Sequence, residues 1–94
     1  MTLDDIAARI DRKLKEKPFE GSLKFDCGEG GVIVLADGGA SRVDRDTDCT
    51  LKISEENLVK LLSGNLNPMT ALVTGKIKLQ GNAAVAMKLS KLIG

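Results

Sequence analysis

Apolar residues recur along this chain with two different spacings, and the order in which the spacings alternate constrains the fold more than any other feature. A period near 3.6 marks an amphipathic helix, and a period of 2 marks a half-buried strand. The helical period runs first, the strand period holds from Ser22 to Ile53, and the helical period then returns. One more short strand pattern follows before a final helix. With 94 residues the chain is the length of one domain, and residues 1–94 are taken as a single α+β unit.

In the first segment Leu3, Ile6, Ala7, Ile10 and Leu14 fall on one stripe, with charged residues around them. Thr2 is placed to cap this helix, Asp5 stands at the capping-box position, and Pro18 ends it. Leu23, Phe25 and Cys27 then alternate with Ser22, Lys24 and Asp26 as a half-buried strand. Gly28-Glu29-Gly30-Gly31 is a turn, Val32–Ala36 a continuously apolar central strand, and Asp37-Gly38-Gly39 a second turn. Ala40–Val43 reads as a third strand and Cys49–Ile53 as a fourth. Turn signals this close together predict an antiparallel meander with one buried face.

Ser54 caps the next helix, whose first turn holds Glu55 and Glu56 and whose apolar face is Leu58, Val59, Leu61 and Leu62. Gly64 suits its C′ position. Asn67-Pro68 opens a short helix with Met69, Leu72 and Val73, closed by Gly75. Lys76–Leu79 predicts a fifth strand with Ile77 and Leu79 inward. Gly81-Asn82 starts the last helix, Ala83–Ile93. Ala83, Ala84, Val85, Ala86, Met87, Leu89, Leu92 and Ile93 cover most of its circumference, leaving only Lys88, Ser90 and Lys91 as a polar strip. A helix apolar nearly all round is normally buried on several sides. Either it sits deep in the core, or one face meets a ligand, membrane or partner; the plainer reading is that small alanines inflate the count.

Several chemistries are excluded by what the chain lacks. It contains no His, which removes His-based triads, the commonest general base and most transition-metal sites. Two separated cysteines, Cys27 and Cys49, cannot form a three- or four-cysteine zinc site and read as reduced, buried, small apolar residues. Glu55 and Glu56 point about 100° apart on a helix, so they act as helix-capping acids rather than an acid–base pair. The glycine cluster lies between strands and lacks the strand–loop–helix order of a phosphate cradle. Asp44, Asp46 and Asp48 lack the Gly and closing Glu of an EF-hand loop and read as a solvated strand edge or turn. No cofactor or metal motif is present. A net charge of +1 and aromatics limited to Phe19 and Phe25 argue against nucleic acid as a partner. No signal-peptide pattern and no apolar run of transmembrane length occurs, so a cytoplasmic protein is expected.

The stretch from Asp48 to Ile93 closely resembles the sterol-carrier-protein-2-like family. The matching residues are Asp48-Cys49-Thr50-Leu51-Lys52-Ile53-Ser54, Leu58, Leu61, Gly64-Asn65-Leu66-Asn67-Pro68-Met69-Thr70-Ala71, Gly75-Lys76-Ile77-Lys78-Leu79-Gln80-Gly81-Asn82 and Ala86-Met87-Lys88-Leu89. The pairing of G-x-L-N-P-x-x-A with G-K-I-K-L-x-G-N at this spacing is specific; the N-terminal half matches in the order of its elements. The resemblance implies a five-stranded, mainly antiparallel sheet with helices packed on one face. It also implies an apolar tunnel between sheet and helices, with the C-terminal helix near its mouth. Members bind sterols, fatty acids, acyl-CoAs or phospholipids. Carried over, the lining would be Leu58, Leu61, Leu62, Met69, Leu72, Val73, Ile77, Leu79, Val85, Met87, Leu89 and Leu92, with Phe25, Leu35 and Leu51 as the sheet floor. Peroxisomal members end in a Ser-Lys-Leu-type signal, whereas this chain ends Leu92-Ile93-Gly94. Short length and few aromatics favour a slim acyl or isoprenoid chain over a sterol.

The expected function is therefore a soluble lipid-binding or lipid-transfer protein, not an enzyme, with an apolar small molecule as partner. Lys76, Lys78, Lys88 and Lys91 are placed for transient contact with an anionic headgroup or membrane surface, or are simply solubilising. The competing expectation is a non-catalytic interaction module that forms a homodimer through the apolar C-terminal helix. A catalytic role would require a reactive Cys27 or Cys49 with a lowered thiol pKa.

Overall fold

The computed structural model describes the backbone of residues 2–93 and the side chains of residues 2–88. Helix α1 (Leu3–Glu16) starts as its sequence requires: the Thr2 hydroxyl accepts from the Asp5 N–H, and the Asp5 carboxylate accepts from the Thr2 N–H. Two of the four donors orphaned at a helix start are thereby satisfied. Leu3, Ile6, Ala7, Ile10 and Leu14 are the buried stripe.

Strands β1 (Leu23–Asp26), β2 (Val32–Ala36), β3 (Gly39–Ser41), β4 (Cys49–Lys52) and β5 (Lys78–Gly81) form one sheet in the order β3-β2-β1-β4-β5. A 3-10 turn at Gly28–Gly30 joins the first two. Strands β1, β2 and β3 are the expected antiparallel meander. Strand β4 does not continue it: it crosses back and pairs with β1 in parallel. Turn signals report only pairings between sequence neighbours, and here the β2–β3 hairpin and the polar run after it together serve as the crossover that a parallel pair needs. Ser22 and Asp48 clamp the two strand starts side by side. The Ser22 N–H donates to the Asp48 carboxylate at 3.1 Å, and the Asp48 N–H donates to the Ser22 hydroxyl at 2.8 Å. The sheet is thus mixed, with one parallel pair and three antiparallel ones. The third strand is shorter than its pattern, and Val43 stands 73% exposed beyond it.

Register puts Leu23, Phe25, Leu35, Ile33, Cys49 and Leu51 on one face. These residues share one core with the α1 stripe and with Leu58, Leu61, Ala71, Ile77 and Val85, so the helices cover that face. On the opposite face Val34 is buried apart from the core, directly across from Lys24. The Lys24 ammonium pairs with Asp44 at 2.6 Å, and its side chain is only 16% exposed, so its apolar stem rather than a helix covers Val34.

Helix α2 (Glu55–Leu62) is capped by Ser54 and α3 (Pro68–Val73) by Asn67, whose side-chain oxygen accepts from the N–H groups of both Met69 and Thr70. At the end of α3 the Lys76 N–H donates to the Ala71 carbonyl and the Gly75 N–H to the Leu72 carbonyl, with Gly75 at φ +80°. This closing turn needs a left-handed residue, which glycine supplies. It delivers Ile77 into the core, and β5 begins one residue later, not at Lys76 as the alternation predicts. Asn82 then accepts from the Ala84 N–H and opens α4 (Ala83–Ile93). Among the described residues no helix is long and apolar enough to cross a membrane.

Candidate functional site

Strand β5 is an edge of the sheet, and Leu79 lies opposite Leu51 on the inner face. The inner face at this edge is not filled by protein. An apolar groove of about 340 Å³ lies there, lined by Asn67, Pro68, Met69 and Leu72 from α3 and its cap, Leu79 from β5, and Ala83, Ala86 and Met87 from α4. Ligand sites typically run from about 300 to 1,000 Å³, so this is a small one. The Asn67 side-chain oxygen already serves the helix N-terminus, which leaves the lining with little polar character. Met69 and Met87, 58% and 65% exposed, form its rim. Methionine is unbranched and adaptable, suited to closing over ligands of varied shape.

The residues expected to line a tunnel divide into groups. Met69, Leu72, Leu79 and Met87 meet at the groove. Phe25, Leu35, Leu51, Leu58, Leu61, Ile77 and Val85 are at most 5% exposed and belong to the protein core. Leu62 instead lines a crevice of about 100 Å³ between α1 and α2, with Ile6, Arg9, Ile10, Lys13, Val59 and Ser63. Val73 is 85% exposed and lies outside the groove lining. Leu89 and Leu92 lie outside the described side chains. Helix α4 is not buried on several sides over its described part: Val85 is buried, Ala86 partly so, and Ala83, Ala84 and Met87 are exposed. Sequence reasoning passed over Asn67, Pro68, Ala83 and Ala86. The alanines carried a usable signal, since side chains that small, one turn apart beside Leu and Met, leave space unfilled.

A second depression, open and polar, of about 450 Å³, lies across the β4–β5 end of the sheet and is lined by Asp26, Cys27, Gly28, Lys52, Ile53, Ser54, Gly75, Lys76 and Lys78. Lys52 and Lys78 are direct cross-strand partners there.

Both cysteines are free thiols. Burial pushes the Cys27 pKa up to about 11, with Glu55 and Asp26 nearby adding to the shift. Burial, and then Asp48, also raises that of Cys49. Each shift opposes formation of the nucleophilic thiolate. Asp44 and Asp48 are engaged by Lys24 and Ser22, and no group of three or more His, Cys, Asp or Glu among the described residues is placed to hold a metal ion.

The sequence matches the model of the SCP-2 sterol transfer family over residues 2–94. It is 43% identical over 99 aligned positions to sterol carrier protein 2 of Oryctolagus cuniculus and 34% identical to that of Gallus gallus, in each case over 88% of this chain and 18% of the relative. The chain therefore spans less than a fifth of the length of these curated relatives. Among solved structures, the sterol carrier protein-2 of Aedes aegypti in complex with palmitate shares the fold with a TM-score of 0.80 at 20% identity, over 97% of this chain and 93% of that one. The sterol carrier protein domain 2 of Helicoverpa armigera gives a TM-score of 0.63 at 32% identity, over 96% of this chain and 75% of that one.

Proposed function

Because this chain belongs to the SCP-2 sterol transfer family, we propose that it is a non-catalytic lipid carrier that holds a fatty acyl or similarly slim apolar chain in the groove between α3, β5 and α4. The observation that carries this reading is the groove itself: an apolar space at the sheet edge with Leu79 as its floor and Met69 and Met87 at its rim. The palmitate held by the Aedes aegypti protein of the same fold supports an acyl ligand. The modest volume favours an acyl or isoprenoid chain over a sterol. Raised thiol pKa values at Cys27 and Cys49 support a binding role over a catalytic one.

Binding would be driven by desolvation of the ligand's methylenes, each contributing about 0.8 kcal/mol when fully buried. The test is NMR of methyl-labelled protein titrated with a saturated fatty acid. The Met69, Met87, Leu72 and Leu79 methyls should shift together and saturably. Saturable shifts confined to Val59 and Leu62 would move the site to the α1–α2 crevice, and an absence of saturable shifts would end the carrier reading.

A further inference from the structure

Among the described residues, six of the thirteen cations are paired. Lys15, Lys24, Arg42, Arg45, Lys60 and Lys88 each meet a carboxylate within 4 Å. Of the seven without an ion pair among the described residues, Arg9, Arg12, Lys13 and Lys17 are spread along α1 and its C-cap among acids, whereas Lys52, Lys76 and Lys78 are all exposed around the same open depression. Lys52 and Lys78 sit directly opposite each other on the outer sheet face, an arrangement that destabilises an antiparallel pair. The acid in the lining, Asp26, turns its carboxylate back to the Gly28 N–H at 2.9 Å. In the first turn of α2, Glu56 pairs with Lys60 and Glu55 lies near Gly30. The depression thus carries a local excess of positive charge on a chain whose net charge is only +1.

An apolar stripe leads into it. Met69 and Val73 are four residues apart on α3, which places them on the same side of that helix. Met69 is on the groove rim, while Val73, 85% exposed, lies two residues before Gly75 on the depression's edge. A free phosphate would use the lysines and leave Val73 and Met69 without a role. A bilayer interface accepts both, taking apolar side chains at the acyl boundary and lysines at anionic headgroups.

We propose that the end of α3 and the start of β5, with Val73 as the apolar contact and Lys52, Lys76 and Lys78 as the charged one, form a docking surface for an anionic lipid bilayer. The surface rests on the carrier reading only in that it sets the groove mouth beside the membrane. A transferred chain could then leave the bilayer at the Met69 rim with little passage through water.

The test is co-sedimentation of the whole chain with vesicles of phosphatidylcholine alone or mixed with phosphatidylserine. The variants are Lys52→Gln/Lys76→Gln/Lys78→Gln, Val73→Ser, and a charge-matched control, Lys15→Gln/Lys17→Gln/Lys60→Gln. A lysine near an anionic surface contributes roughly fivefold to partitioning, so the first triple variant should bind the mixed vesicles at least about tenfold more weakly, and at most about 100-fold. Val73→Ser should bind severalfold more weakly, the control close to wild type, and raised salt should release the wild-type protein. Three results would each overturn the proposal: equal binding to neutral vesicles, equal losses in the two triple variants, or complete release by soluble glycerophosphoserine. Fatty-acid uptake, measured in parallel, separates the two readings. Uptake without vesicle binding sinks the docking surface alone, and vesicle binding without uptake sinks the carrier reading alone.

Discussion

The groove sets a length for the chain it can bury, and a series of saturated fatty acids measures that length. The space holds about 340 Å³. If a methylene takes about the volume of a liquid water, roughly 30 Å³, the groove is full at about eleven carbons. Each methylene entering a closed apolar site contributes about 0.8 kcal/mol, a factor of nearly four in affinity. Here Met69 and Met87 stand partly in solvent, so one side of the chain keeps some exposure and the increment falls to between about two- and fourfold. From about eight to about twelve carbons the dissociation constant should then drop by about 20- to 250-fold, and beyond that it should level off. Isothermal titration calorimetry, kept below each acid's micelle concentration, gives the curve. A flat series at short lengths would show that the tail is not buried in this groove. An unbroken slope out to about eighteen carbons, well past the eleven or so that the volume allows, would show that the tail occupies a larger space.

The other predictions separate folding from binding. Phe25→Ala empties a fully buried core position and should lower unfolding free energy by about 3–5 kcal/mol. Leu79→Ala, on the half-exposed groove floor, should cost less stability in denaturant titrations but weaken fatty-acid affinity; the opposite ranking would place the site elsewhere. Gly81 sits at φ +96°, and a Cβ there would stand 2.5 Å from the Asp48 carbonyl oxygen. Gly81→Ala should therefore destabilise by about 1–3 kcal/mol, and an unchanged denaturation midpoint would refute the close approach of the end of β5 to the residue preceding β4. Cys27 keeps its proton to about pH 11 when folded, whereas its reference value is 9.0. This contribution to stability is complete below pH 9 and is lost as pH rises towards 11, and Cys27→Ala should flatten that part of the stability profile. Alkylation of Cys27 at pH 9 should also be slower than that of an unfolded control.

Local chemistry in the sequence carried most of the element boundaries because each is set by neighbours in the chain. The Thr2–Asp5 box, Ser54, and the Asn67-Pro68 start with its Gly75 stop all act over a few residues, and all occur where their spacing puts them. The β1–β4 pairing was not legible in that way. It depends on Ser22 meeting Asp48, 26 positions away, and on the unoccupied edge of β1 after β2 has taken the other. The start of β5 departs from the alternation for a related reason. Ile77 is buried by the turn that closes α3, and burial in a turn produces the same apolar mark as a strand position.

The site was harder to read because alternation reports which way a side chain faces and not what it faces. Leu51 and Leu79 are register partners on the same side of the sheet, and the sequence gives them equal weight. Leu51 is 2% exposed because β4 is flanked on both sides, by β1 and β5. Leu79 is only half-buried because β5 ends the sheet and the helices beside it present Ala83 and Ala86. The difference between core and groove therefore arises from two facts together: which strand is at the edge, and how small the facing helix residues are. Only the second is written locally. The topology supplies the first, through the same parallel crossover that puts β4 inside the sheet and leaves β5 as its border. The groove is thus a property of the strand order as much as of Met69, Leu72, Leu79 and Met87.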